Sequence, residues 1–111
     1  MRHETIIGTW FDPFGRNVTL TMQQWVEHIL KFHPVMAVRL EDVGKTVEKP
    51  EFIFNDGDED LYYRKIVSEH GIRYYKIVIR KNKDGSGNYR VVTSFRARKM
   101  QDKGVVIWQK E

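Results

Sequence analysis

Residues 34–54, PVMAVRLEDVGKTVEKPEFIF, contain the point at which the chain changes its period. Before Pro50, the residues Met36, Leu40, Val43 and Val47 recur at i, i+4, i+7 and i+11. This single apolar stripe predicts a helix over 34–47. Pro34 suits the first helical position, where a missing N–H costs nothing. Gly44 weakens the helix and Pro50 stops it. After Pro50 the period falls to two, and everything downstream reads as strands.

Working outward, Met22, Trp25, Val26, Ile29, Leu30 and His33 recur at helical spacing and predict a first helix over 22–32, with Thr19 or Thr21 as its cap. It ends at Pro34, because the residue before a proline is pushed out of the α region. Upstream, β-branched Glu4–Trp10 reads as a strand. Asp12-Pro13-Phe14-Gly15 is a turn, and Asn17–Leu20 returns to make a hairpin. Downstream, strands are expected at Glu51–Phe54, Leu61–Ser68, Ile72–Arg80, Tyr89–Arg98 and Gly104–Gln109, with hairpin loops between them. The expected fold class is α+β: two consecutive N-terminal helices packed on an antiparallel sheet, in the order ββααβββββ. A chain of 111 residues, 41% apolar, fits one domain spanning 1–111.

Composition excludes several functions. There is no cysteine, so disulfides, thiol catalysis and Cys-based zinc sites are out. No apolar run is long enough to span a membrane, and MRHETIIGTW lacks the apolar core of a secretory signal, so a cytoplasmic protein is expected. The net charge of +4 is unevenly distributed. Residues 41–60 hold two Lys/Arg against eight Asp/Glu, whereas residues 64–103 hold twelve against three. A basic C-terminal half points to an anionic partner, with nucleic acid the commonest kind; a solvated surface accounts for the same charges. If the partner is anionic, the two segments should form separate surfaces, with Arg96 and Arg98 lining a concave basic region. If the acidic segment folds over those arginines, nucleic-acid binding loses its main support.

Among chemical motifs, the nucleotide-binding glycine loops, the HExxH zinc motif and the GxSxG nucleophile elbow are all missing from the sequence. The glycine-rich 84–88 links two strands and precedes no helix, and the acidic 56–60 run lacks the spacing of a calcium loop. No cofactor and no metal is expected. His3 and His70 read as surface residues. His28 and His33, five residues apart, should project about 140° apart around an α-helix, which does not suit a shared metal. His28 lies at the border of the apolar stripe, where an imidazole can either reach a cleft or hydrogen-bond at the core edge. Along Tyr89–Arg98, strict alternation puts Tyr89, Val91, Thr93, Phe95 and Ala97 on one face and Arg90, Val92, Ser94, Arg96 and Arg98 on the other. Clustered arginines suit phosphate, whose geometry matches the guanidinium fork.

Five groups of residues occur in a fixed order. Trp25-Val26-Glu27-His28-Ile29 precedes His33-Pro34; Val47-Glu48-Lys49-Pro50-Glu51 ends the second helix; Leu61-Tyr62-Tyr63-Arg64-Lys65 and Val91-Val92-Thr93-Ser94-Phe95 follow on strands. Over residues 18–98 this arrangement resembles the phage-associated branch of the Barnase–EndoU–colicin–RelE-like nuclease superfamily. The resemblance implies a helix-plus-antiparallel-sheet fold and a metal-independent ribonuclease, often a toxin opposed by an antitoxin or immunity protein. It implies His28 as the helical acid–base residue, Arg64 or Lys65 as the basic residue of the sheet, and Thr93 and Ser94 as the late-strand hydroxyls. Arg80, Arg90, Arg96, Arg98 and Lys99 are the expected nucleic-acid contacts from the charge pattern. The competing expectation is a module of the same fold that binds RNA or a protein without cleaving it.

Overall fold

The two-residue period after Pro50 builds an antiparallel meander of four strands, β3 (Phe52–Asp56), β4 (Glu59–Ser68), β5 (Gly71–Lys81) and β6 (Tyr89–Ala97). Gly57 and Gly71, at φ 65° and 101°, take the left-handed conformations that the two tight turns need. β7 (Val105–Gln109) returns to pair with the far side of β3. At the opposite flank, β1 (Ile6–Phe11) and β2 (Asn17–Thr21) form a hairpin, and β2 joins β6. These features come from a computed structural model that describes residues 5–100 and 104–111; His3 and Lys103 lie outside the described residues. The strand order is β1-β2-β6-β5-β4-β3-β7.

This architecture corrects the expected α+β arrangement of two helices on an antiparallel sheet in the order ββααβββββ. The sheet is mixed and seven-stranded, with 24% of the described residues helical and 49% in strands. β2 and β6 pair in parallel, Val18 with Tyr89 and Thr19 with Arg90. The reason is topological: β3 runs opposite to β2, and three hairpin reversals then leave β6 running the same way as β2. The helices are also shorter than the apolar spacing suggests. The 22–32 run is one α turn at Met22–Gln24, a π-helical stretch at Trp25–Ile29 and a last α turn at Leu30–Phe32. Thr21 caps it by accepting the Gln24 N–H at 3.2 Å. Pro34–Val38 is a 3₁₀ turn, and α-helix begins only at Leu40–Glu48. Val35 and Val38 are β-branched and lose side-chain freedom in a helix. Arg39 leaves helical geometry at φ −123°, and its guanidinium bonds back to the Val35 carbonyl at 3.0 Å.

Trp25, Ile29, Met36, Val43 and Val47 bury their side chains against Val18, Leu20, Ile53, Tyr62, Ile77, Ile79 and Val91 on one sheet face. Gly44 is required here by packing: a Cβ at this position would fall inside the Trp10 indole ring. The other face carries a smaller cluster of Phe54, Leu61, Tyr63 and Val78, with Met100 against it. A buried polar network pins the β1–β2 hairpin to β4. Arg16 donates to Asp12 at 2.8 Å, to Asp60 at 2.7 Å and to the Tyr62 hydroxyl at 3.1 Å, and Tyr62 donates to Asp12 at 2.5 Å. Burial and the bond to Asp12 raise the Tyr62 pKa above its ordinary value. No helix of the described residues is long and apolar enough to cross a membrane.

Candidate nucleic-acid interface

The chemistry of β6 depends on a β-bulge. Opposite β5, Val91 pairs with Ile79 and Thr93 pairs with Val78, so Val92 is an extra residue. A bulge reverses the alternation beyond it. Thr93 therefore lies on the face away from the helices, and Ser94, opposite Ile77, points into the helix-covered core. Strict alternation had given the reverse for this pair. Ser94 is 0% exposed, and among the described residues its hydroxyl has no hydrogen-bond partner. A buried, unsatisfied hydroxyl is uncommon and marks a position with a reason to be polar.

On that same face, Arg64 of β4, Tyr75 of β5 and Arg96 of β6 are direct cross-strand neighbours and form a row across the sheet. Adjacent strands lie about 4.8 Å apart, so the two arginines stand roughly 10 Å apart at the backbone. Arg64 lies over the Tyr75 ring at 5.1 Å and donates to Asp42 at 2.9 Å and Thr46 at 3.1 Å. Tyr75 donates to the other Asp42 oxygen at 3.0 Å and accepts from Arg39 at 3.1 Å. One turn of chain further on, Arg73, Arg96 and Arg98 line an open cleft of about 330 Å³ with Val35, Ser68 and His70. Arg96 Nε is buried with no partner among the described residues. A cluster of guanidinium groups with an unused donor at Arg96 is what a phosphate-bearing chain would neutralise.

Of His28 and His33, His33 stands at the edge of the same strand. β2 covers β6 only as far as Arg90, and beyond it the first helical run abuts the edge, with the Gln24 amide donating to the Val92 carbonyl. His33 stacks on Phe95 with ring centroids 4.7 Å apart and planes 19° apart. Partial burial, then the nearby charge of His28, lowers the His33 pKa below its ordinary value. His28 is exposed and meets Phe32 edge-on at 5.5 Å. The expected 140° separation of the two imidazoles assumed an α-helix. In the π-helical stretch the Leu30 N–H bonds to the Trp25 carbonyl, an i→i+5 closure that ends before His33, whose own N–H returns to the Ile29 carbonyl at 2.7 Å.

The expected residues therefore divide. Arg64, Ser94 and Arg96 share the helix-covered face. Lys65, exposed and opposite Tyr74, and Thr93, opposite Val78, lie on the other face. Lys99 and Arg98 line a smaller pocket of about 160 Å³. Arg80 and Arg90 are opposite one another at the far end of the meander, about 20 Å along β6 from Arg96. Arg80 is paired with Glu59 at 3.0 Å, and Arg90 donates to the Lys81 carbonyl at 3.1 Å. They line a cleft of about 540 Å³ together with Arg16, Lys81 and Lys83. The acidic segment is neither separate from the basic one nor folded over Arg96 and Arg98: Asp42, Glu59 and Asp60 take Arg64, Arg80 and Arg16.

Arg39, Arg73, Tyr75, Lys76 and His33 were missed as site residues. Period-two counting shows that Tyr75 and Arg73 share a face, but the register that puts Arg64 and Arg96 beside them is set by distant pairings. Among the described residues no group of three or more His, Asp or Glu side chains is placed to hold a metal ion. No protein-family model, curated protein or solved structure matches this chain.

Proposed function

We propose that the protein is a metal-independent endoribonuclease that holds RNA phosphates at the Ser94–Arg98 end of β6 and cleaves by attack of the ribose 2′-hydroxyl. The observation that carries this reading is the cleft lined by Arg73, Arg96 and Arg98, with Arg64 in the cross-strand row of Arg96 and the His33 imidazole stacked on Phe95 of β6. The motif resemblance to the Barnase–EndoU–colicin–RelE-like nucleases supports it from the sequence side.

In the proposed mechanism His33, whose pKa partial burial lowers below its ordinary value, takes the proton from the 2′-hydroxyl. The 2′-oxygen attacks phosphorus, the bond to the 5′-oxygen breaks, and His28 in its protonated form gives a proton to that leaving oxygen. The products are a 2′,3′-cyclic phosphate and a 5′-hydroxyl. Arg64 and Arg96 stabilise the extra charge on the phosphorane, while Ser94, buried opposite Ile77, stays out of contact with the phosphate. Lys65 and Thr93, on the opposite face, contact only flanking RNA. An RNA substrate fits a cytoplasmic location, and an acidic antitoxin or immunity protein would inhibit by filling the arginine cleft.

The test is incubation of RNA with purified protein in EDTA, comparing wild type with His28→Ala, His33→Ala and Arg96→Ala. Cyclic phosphate ends from wild type, loss with either histidine variant and weakened binding with Arg96→Ala are expected. Equal cleavage by all four removes these residues from the mechanism. One observation favours a second reading, an RNA- or protein-binding module without catalysis: Arg64 is already engaged by Asp42 and Thr46. RNA bound with a steep salt dependence but left intact identifies that module.

A further inference from the structure

Behind the arginine cleft, on the other side of β6, lies the 160 Å³ pocket lined by Lys76, Phe95, Ala97, Arg98 and Lys99. It has room for about five waters, enough for one phosphate group. Lys76 is only 8% exposed, an unusual position for a lysine. Its ammonium lies 5.4 Å from the Phe95 ring centre and 5.6 Å from that of Tyr63. These aromatic faces offset part of the cost of burying the charge and aim it at the pocket. Arg98 belongs to both cavities, so two cationic sites lie back to back across one strand. The strand between them is the free end of β6, where His33 rests on Phe95.

We propose that this pocket is a second phosphate subsite, holding the phosphate next to the scissile one on a single-stranded RNA. The proposal rests on the reading of the arginine cleft as an RNA site and adds to it the course of the chain. A backbone that places one phosphate by Arg96 and the next by Lys76 must fold over the β6 edge. Only an unpaired strand can bend so sharply; a duplex cannot. The crossing point passes His33, so the linkage between the two subsites is the one presented to the imidazoles.

Fluorescence anisotropy with a labelled 2′-O-methyl hexanucleotide, which lacks the attacking hydroxyl, measures binding without cleavage. Titrations over a range of salt are compared for wild type, Lys76→Met, Lys99→Ala and Arg96→Ala, with a duplex of the same length as a second probe. Lys76→Met and Lys99→Ala should each weaken single-strand binding roughly tenfold. Each should flatten the salt slope by about 0.7, the value for one lost contact to a single strand. The duplex should bind wild type at least about tenfold more weakly than the single strand. Lys99 is exposed, so its variant reports even if Lys76→Met disturbs the fold. If Arg96→Ala weakens binding while neither lysine variant changes affinity or slope, the subsite is overturned and the arginine cleft stands. If wild type binds neither probe, both readings fall.

Discussion

Replacing Arg16 by Met tests how the N-terminal hairpin is held to the meander. The Arg16 guanidinium is the shared partner of Asp12, whose side chain is 0% exposed, and Asp60, whose side chain is 8% exposed. Removing one member of a buried ion pair costs about 3–5 kcal/mol, because a desolvated charge is left behind. Arg16 itself is 21% exposed, which allows some water to reach the site and argues for the lower figure. At about 4 °C per kcal/mol for a chain of this size, the melting temperature should fall by about 12 °C. The two carboxylates should not suffer equally. Asp12 keeps the backbone N–H groups of residues 14 and 16 and the Tyr62 hydroxyl, whereas Asp60 keeps the Asn55 amide at 2.8 Å. Adding Asp60→Asn to Arg16→Met should therefore recover more stability than adding Asp12→Asn. Thermal and urea unfolding followed by near-ultraviolet circular dichroism measures both effects. A loss below about 1 kcal/mol, or better recovery with Asp12→Asn, would refute the reasoning.

Gly44→Ala improves helix propensity by about 1 kcal/mol but drives a methyl into the Trp10 ring, so a net loss of about 1–2 kcal/mol and a shift in tryptophan fluorescence are expected. For His33 the folded pKa lies below the unfolded value of 6.5, so the unfolded chain binds more protons between the two. Stability from this residue is complete above pH 6.5 and declines as pH falls through the folded pKa; urea titrations should show that decline flattened in His33→Asn. Asp42→Asn weakens the acidic hold on Arg64, and anisotropy with the hexanucleotide should show tighter binding and a salt slope steeper by about 0.7.

The strands of the meander were legible because Tyr75, Ile77 and Ile79 alternate without interruption, and a period of two survives reading by eye. The bulge was not legible. Val91 and Val92 are both apolar, and alternation counting is blind to one inserted residue, so Thr93 and Ser94 exchanged faces. The apolar stripe of Met36, Leu40, Val43 and Val47 correctly marks buried positions, all but Leu40 being fully buried, yet it passes through a 3₁₀ turn before reaching the helix. Burial follows the contacts a side chain makes, and backbone geometry yields to Pro34 and to Arg39. The clustering of Arg64, Arg73, Arg96 and Arg98 was visible only as a basic half-chain; cross-strand register turned a charge count into a place.

The parallel contact between β2 and β6 has a kinetic consequence. Thr19 donates its hydroxyl to the Tyr89 carbonyl across 70 positions of sequence, and no local turn helps to bring the two together. Every other strand pairing of the central sheet from β3 to β6 closes through a hairpin, which forms in microseconds, whereas so wide a loop must first give up its chain entropy. During folding the β3–β6 meander can assemble early, but the β1–β2 hairpin can dock only after β6 is in place. Synthesis on the ribosome imposes the same order, since residues 17–21 emerge long before their partners at 89–90. The β1–β2 hairpin thus waits for β6 to be made, and its exposed Ile6 and Phe11 are on offer to chaperones throughout that interval.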